Sequence, residues 1–185
     1  MRIIAGIAKG MPLRAPHRGS VRPTSDRVRE AIFSSLGDRV NGAAALDLYA
    51  GTGALGIEAA SRGAARVTFV DDSRDALKVL RQNIDTFRQG REITCELTVI
   101  CANLFAELGK LAAAPGRYTL VLADPPYGKT AQALLEQKEL PLLLAENGVL
   151  VLESGKRDPL IAPTPWTVLR EAIYGDTRVS TLRAG

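Results

Sequence analysis

The chain has 185 residues, of which 46% are apolar and 24% charged, the profile of one soluble globular domain with a real core and little room for a second. No apolar run approaches the ~20 residues of a membrane helix, and the N-terminus reaches Lys9 before a signal-peptide apolar stretch can form, so a cytoplasmic protein is expected. One histidine, His17, excludes a His-rich metal site, and Cys95 and Cys101 lack metal-ligand spacing, so buried free thiols are expected there.

The net charge of +4 is unevenly placed. Residues 1–30 hold Arg2, Lys9, Arg14, Arg18, Arg22, Arg27 and Arg29 against Asp26 and Glu30, a net of +5 that leaves −1 for the rest. A basic head on a near-neutral body points to a polyanion partner, because phosphate neutralisation drives nucleic-acid affinity. Residues 1–15 alternate loosely around Gly6, Gly10 and Pro12 and read as a small β-hairpin. A basic arm is therefore expected over 1–22, ahead of a main domain over 23–185. Arg22-Pro23-Thr24 opens a helix, with Thr24 or Ser25 as N-cap, Asp26 in the first turn and Gly37 as the stop. Its apolar face is expected to be Val28, Ala31, Ile32, Ser35 and Leu36.

From residue 44 strands alternate with helices. Strands are expected near 44–49, 66–70, 94–100, 118–123, 148–153, 166–173 and 177–182. Helices are expected near 54–62, 73–87, 104–114 and 130–145, with Pro141 breaking the last. This alternation implies right-handed βαβ units, a mainly parallel sheet and helices on both faces. Tyr174-Gly175-Asp176 links the last two runs with no helix between them, so they should form an antiparallel hairpin.

Two stretches carry the chemistry. In the first, Leu46-Asp47-Leu48-Tyr49-Ala50-Gly51-Thr52-Gly53-Ala54-Leu55-Gly56, a strand runs into a glycine turn and a helix start. Gly51, Gly53 and Gly56 fit G-x-G-x-x-G in the strand–turn–helix context its mechanism requires. Asp71 stands at the end of the next strand, where an acid binds ribose hydroxyls, with Asp72 beside it. A nucleoside ligand is implied. A dinucleotide would set its pyrophosphate on this loop, and a carboxylate at Asp47 facing the ligand would repel it; Asp47 either holds a ligand ammonium, directly or through water, or serves as a cap or loop brace. S-adenosylmethionine, with an ammonium and a sulfonium and no phosphate, fits better. The expected cofactor set is Asp47, Tyr49, Ala50, Gly51, Gly53, Gly56, Asp71, Asp72, Asn103 and Leu104. In it Asn103 either meets the adenine or caps the next helix.

In the second stretch, Asp124-Pro125-Pro126-Tyr127 ends the apolar strand 118–123. Two prolines cannot continue a strand, so they make a stiff turn with outward carbonyls. The Asp124 carboxylate and the Pro125 carbonyl can accept N–H bonds while the Tyr127 ring stacks, which suits a planar group bearing an amino function. Asp124, Pro125, Pro126 and Tyr127 are the expected catalytic residues. By itself the motif says that an amino group is held, not whose.

With these residues assembled, the chain resembles the RsmD family of bacterial methyltransferases, which modify N2 of one guanine in small-subunit 16S ribosomal RNA. The resemblance rests on Met1 to Gly6, Arg22 to Glu30, Leu46 to Gly56, Asp124 to Gly128 and Tyr174 to Val179. It implies the α/β class I fold, Rossmann-like, with a seven-stranded, mainly parallel sheet and a C-terminal antiparallel hairpin. It also implies S-adenosylmethionine as cofactor and 16S ribosomal RNA, in a partly assembled small subunit, as partner of a monomer. Arg2, Lys9, Arg14, Arg22, Thr24, Arg27 and Arg29 are then the expected RNA contacts. The family usually has Glu where this chain has Asp71, and Asp where it has Asn103. An adenine-N6 methyltransferase shares the motif chemistry, but a self-sufficient one needs a recognition domain that 185 residues do not hold. A cytosine-C5 enzyme needs a cysteine nucleophile after a proline, which is missing here. The alternative outside enzymes is a non-catalytic nucleic-acid-binding or assembly factor with a vestigial cofactor fold.

Overall fold

The computed structural model describes residues 1–15, 25–114 and 116–185. Seven strands, β1 (Ala44–Leu48), β2 (Arg66–Asp71), β3 (Glu96–Cys101), β4 (Tyr118–Ala123), β5 (Leu144–Gly155), β6 (Trp166–Tyr174) and β7 (Thr177–Ala184), form one sheet. Its order is β3-β2-β1-β4-β5-β7-β6. The first five strands pair in parallel, and β7 runs antiparallel to both β5 and β6. The helices are α1 (Asp26–Leu36), α2 (Ala54–Ser61), α3 (Arg74–Arg88), α4 (Leu104–Ala113) and α5 (Thr130–Leu135).

Successive strand residues feed opposite faces, as the two-residue period of a strand demands. In β4, Leu120 and Leu122 join a core with Ile32 of α1, Ile57 of α2 and Leu80 of α3, while Val121 and Ala123 join a second core with Leu108 of α4 and Leu134 of α5. Both faces are covered, which is why β1 and β4 read as continuous apolar runs rather than alternating ones. The edge strands β3 and β6 are the exceptions, and β3 is the one that bears on a sequence expectation. Its residues are mostly half-exposed or exposed, so Cys101 at its end is an exposed thiol, contrary to expectation, while Cys95 is buried.

The expected helix over 130–145 is much shorter. α5 ends at Leu135, Pro141 opens a 3₁₀ turn through Leu143, and β5 already begins at Leu144. Leu135, Leu140, Leu143 and Leu144 are all buried in the same core, and an apolar run of this kind does not distinguish helix from strand. Pairing decides it: Leu144 sits opposite Tyr118, before a register shift in the β4–β5 ladder.

Helix α1 is capped by Ser25, whose hydroxyl accepts from the Val28 N–H at 3.2 Å, and it stops at Gly37. Its buried face is Val28, Arg29, Ile32, Phe33 and Leu36, rotated from the expected one so that Ser35 is exposed. Arg29 can be buried because it has partners. Its guanidinium donates to the Asp26 carboxylate at 2.8 Å and to the Arg2 carbonyl at 2.6 Å.

Residues 1–15 close on themselves through one antiparallel bridge, Arg2 to Pro12, rather than through two full strands. They lie against the body. Ile3, Ala8, Met11 and Leu13 are buried. The buried Glu58 carboxylate on α2 accepts from the Ile4 and Ala5 N–H groups at 2.7 and 3.0 Å, and Arg62 neutralises it at 2.7 Å. Ser61 on α2 accepts from the Ala8 N–H and donates to the Ala5 carbonyl. This docking requires a glycine at position 6. Its φ is +81°, and a Cβ there would lie 1.8 Å from the Ser61 carbonyl oxygen.

Gly6→Ala should therefore lift residues 1–15 off α2. Left-handed strain and overpacking together predict a stability loss above about 2 kcal/mol. Urea unfolding measures the loss, and faster amide exchange at Ile4, Ala5 and Ala8 locates it.

Candidate active site at the strand-order switch

The strand order reverses between β1 and β4, so the connections from their carboxyl ends leave to opposite faces and a crevice opens between them. Both sequence motifs are delivered to that crevice. The register aligns Leu48 of β1 with Ala123 of β4 and with Val70 of β2, so the glycine loop, the Asp-Pro-Pro-Tyr turn and Asp71 leave the sheet at one level.

The glycine loop turns sharply at Tyr49, a non-glycine residue with φ 59°, and its three glycines serve different ends. A Cβ on Gly51 would meet nothing closer than the Tyr49 carbonyl at 3.9 Å, so its bare side faces open space and a ligand can approach the backbone. A Cβ on Gly53 would strike Leu80 of α3 at 2.2 Å, and one on Gly56 would strike the Phe69 ring at 2.3 Å. These two let α2 pack close to its neighbours. Ala50 is buried, and its N–H donates to Val70 of β2.

In the structure Asp47 takes the bracing pose. It is 1% exposed and lies beneath the loop, where its Oδ2 accepts from the Gly56 N–H at 2.8 Å. It therefore braces the start of α2. Burial pushes its pKa up to about 8, against the opposing pull of the Gly56 hydrogen bond, and the charges of Asp124 and Asp71 push it the same way. A phosphate in the crevice would be opposed by Asp71 and Asp124 instead. Asp71 is half-buried. Its two oxygens accept from the Gly51 and Ser73 N–H groups, each at 2.8 Å, so it ties the glycine loop to the start of α3 and still has lone pairs to spare. Asp72 is exposed. The buried Tyr49 hydroxyl has no hydrogen-bond partner among the described residues. Burial, and then the charge of Asp72, raise its pKa to about 12, so it remains a phenol able to donate.

Asn103 takes the capping role: its side-chain oxygen accepts from the Ala106 N–H at 3.3 Å at the start of α4. Leu104 is buried in the second core. The open side of Gly51, the unpartnered Tyr49 hydroxyl and the carboxylates at the mouth fit a cationic nucleoside such as S-adenosylmethionine.

On the other wall, the Asp124 N–H points to the Leu48 carbonyl at 3.5 Å, at the fading end of the β1–β4 ladder. Asp124 is half-buried, Pro125 buried, and Pro126 and Tyr127 exposed. Tyr127 is anchored at its tip: its hydroxyl lies 2.7 Å from the Thr177 hydroxyl, while the residue stays 45% exposed. The turn is fixed from behind by Asp158, whose Oδ2 accepts from the Gly128 N–H at 2.8 Å and the Gly155 N–H at 2.9 Å. Arg178 of β7 donates to the carbonyls of Asp158 and Lys156, each at 2.9 Å. Sequence reasoning missed Asp158, which lies in no motif. It also missed the role of Thr177, which sits in the Tyr174–Val179 block.

A third omission is Asn83 of α3, 1% exposed. Its amide donates to the Thr52 carbonyl at 2.9 Å and the Arg14 carbonyl at 3.2 Å, and its oxygen accepts from the Arg14 N–H at 2.9 Å. It thereby joins the glycine loop to the basic segment. Of that segment, Arg2, Lys9, Arg14 and Arg27 are exposed. Arg29 is fully buried and is removed from the surface set, because Asp26 and the Arg2 carbonyl hold it inside. Arg22 and Thr24 lie outside the described residues.

A sheet of this order, with a glycine loop after β1 and covering helices on both faces, defines the class I methyltransferase fold. The family described as "Conserved hypothetical protein 95" matches residues 1–183, and the chain belongs to it, the RsmD family. The chain is 33% identical to Ribosomal RNA small subunit methyltransferase D of Haemophilus influenzae over 95% of this chain and 89% of that one. Against the Escherichia coli protein of the same name the identity is 33% over 95% and 85%. The solved structure of the Escherichia coli protein yhhF superposes with a TM-score of 0.79 at 31% identity, covering 100% of this chain and 97% of that one.

Because Asp47 holds its proton more tightly when folded than the ordinary carboxyl at 3.8 does, raising the pH from about 4 to about 8 favours the unfolded chain at this position. Its stabilising contribution is complete below about pH 4 and lost as the pH passes about 8. Asp47→Asn keeps an acceptor for Gly56 and removes the titration. Denaturant unfolding from acid to mildly alkaline pH should show a shallower fall in stability with pH for the variant than for the wild type; parallel curves would refute the assignment.

Proposed function

We propose that this protein transfers a methyl group from S-adenosylmethionine to the exocyclic N2 of a guanine in 16S ribosomal RNA of the small subunit. The observation that carries the reading is the placement of the Asp124–Tyr127 turn directly across the crevice from the glycine loop, with both braced by backbone-directed carboxylates. The names of the relatives support ribosomal RNA as the substrate class. Choosing guanine N2 over adenine N6 rests on the family resemblance outside the motif, chiefly the Arg22–Glu30 and Tyr174–Thr177 blocks of the sequence.

The cofactor supplies an already activated methyl group, so the chain's task is alignment. Proximity and orientation are worth ~7–11 kcal/mol of barrier. In the proposed site, the Asp124 carboxylate and the Pro125 carbonyl accept the two amino hydrogens. This draws the nitrogen toward a tetrahedral shape, frees the lone pair from the ring and stabilises the positive charge that develops there, and Asp124 takes the proton that the methylated nitrogen then sheds. Tyr127 stacks on the target base, worth ~1–3 kcal/mol, which offsets part of the cost of turning that base out. Gly51, Tyr49 and Asp71 form the cofactor wall. Residues 1–22 act as the RNA-facing extension of the catalytic domain over 23–185, and a cytoplasmic monomer suffices.

Tritiated-methyl transfer to small-subunit particles lacking the modification, followed by nucleoside identification, tests the reading. N2-methylguanosine is the expected product, and N6-methyladenosine would overturn it. Asp124→Ala should abolish turnover while cofactor affinity, measured by calorimetry, stays within a few-fold; equal loss of both would remove its assigned role. Tyr127→Ala should be severe. Tyr127→Phe and Thr177→Val, which each delete one side of the same hydrogen bond, should be mild and similar, since such a bond contributes about 1 kcal/mol.

A further inference from the structure

One cleft lies beside the site just described and is not used by it. It measures about 260 Å³ and is lined by Ser25, Arg27 and Val28 of α1 and its cap, and by Ile173, Tyr174 and Gly175 at the β6–β7 turn. Its place in the sheet is informative. β7 runs antiparallel to β5, and Thr177 pairs with Gly155 at the end of β5, so the β6–β7 turn stands at the same edge as the crevice. Tyr174 is directly opposite Thr177. Cross-strand partners project to the same face with Cβ atoms ~4.5–5.5 Å apart, and Thr177 is the residue that holds the Tyr127 hydroxyl. The aromatic side of the cleft is therefore one side chain away from the ring assigned to the target base.

The lining combines three features. Tyr174 is half-buried and packs against the core, so its ring is held in place. Val28 of α1 is buried at 4% exposed and supplies the apolar floor, and Gly175 leaves the turn uncovered. Arg27 is exposed at the rim. The adjacent acid, Asp26, is engaged by Arg29 at 2.8 Å and Arg2 at 3.6 Å, which limits its opposition to an anion at Arg27. A fixed aromatic ring, an apolar floor and a guanidinium at the rim suit a nucleobase with its phosphate.

We propose that this cleft is a second nucleotide subsite, in which the base next to the target stacks on Tyr174 and its phosphate meets Arg27. The proposal rests on the RNA reading given above and names where the flanking strand runs. It also explains why an exposed Tyr127 suffices for the target: the neighbour held at Tyr174 fixes the backbone on one side and aims the next base at Tyr127.

The test uses the full chain and single-stranded RNA heptamers with a central guanosine, read by fluorescence anisotropy. One set carries an abasic site next to the guanosine, and another carries an uncharged methylphosphonate at the adjoining phosphate. Removing the neighbouring base should weaken wild-type binding roughly tenfold, but should weaken binding to Tyr174→Leu by less than about twofold, because the stacking partner is already gone. Removing the phosphate charge should weaken the wild type and leave Arg27→Gln nearly unaffected, and Arg27→Gln should lower the salt slope by ~0.7. Tyr174→Phe, which keeps the ring, should behave as wild type and controls for folding. Equal penalties in wild type and variants would overturn the subsite, as would a wild type that binds none of these RNAs. Discrimination by Tyr174 and Arg27 in a protein that transfers no methyl group would instead sink the catalytic reading and leave the subsite standing.

Discussion

The reversal of strand order between β1 and β4 is the constraint from which the site follows. A parallel sheet wound in one direction covers the ends of its strands with its own connections. Here the connection after β1 passes to the face that holds α2, and the one after β4 to the face that holds α5. The crevice left between them is where two loops meet across adjacent strands. The glycine loop and the Asp-Pro-Pro-Tyr turn are far apart in sequence, yet they leave neighbouring strands at matched register.

Around that crevice, and where residues 1–15 dock on α2, the chain uses carboxylates as braces aimed at backbone N–H groups. Asp47 holds Gly56, Asp71 holds Gly51 and Ser73, Asp158 holds Gly128 and Gly155, and Glu58 holds Ile4 and Ala5. Each satisfies loop donors that have no partner in a ladder or helix, which would otherwise be costly where water is scarce. One consequence is electrostatic. Several acids gather near the crevice, and the most buried of them, Asp47, is driven toward its neutral form. A cation entering the crevice would meet a complementary field and an anion an opposing one.

The basic segment is part of this same construction. Asn83 bonds Thr52 in the glycine loop and Arg14 in the N-terminal segment with one side chain, so the glycine loop and the basic surface share a fixed point. On the other side, Thr177 links Tyr127 to the β6–β7 turn, and the cleft at Tyr174 adjoins α1. An RNA strand that contacts Arg27 and Tyr127 would thus touch surfaces held in register by the fold.

Much of this was legible in the residues alone. The strand–helix alternation, the final hairpin, the glycine loop and the Asp-Pro-Pro-Tyr turn all follow from local rules: apolar periodicity, glycine and proline chemistry, and the need for a polar turn at a strand end. What local rules could not supply was which polar side chains face inward. Arg29 reads as a surface charge and is buried, because Asp26 and the distant Arg2 carbonyl converge on it only in the folded state. Asp47 reads as a ligand contact or a brace, and its bracing partner Gly56 is identified only when α2 packs on β1. The stretch after Leu135 reads as helix and is turn and strand, because Leu144 finds a partner in Tyr118. Sequence by itself determined the elements and the chemical motifs, which depend on near neighbours. Tertiary structure decided burial, pairing and the partners of each polar group, since those depend on residues that meet only across the fold.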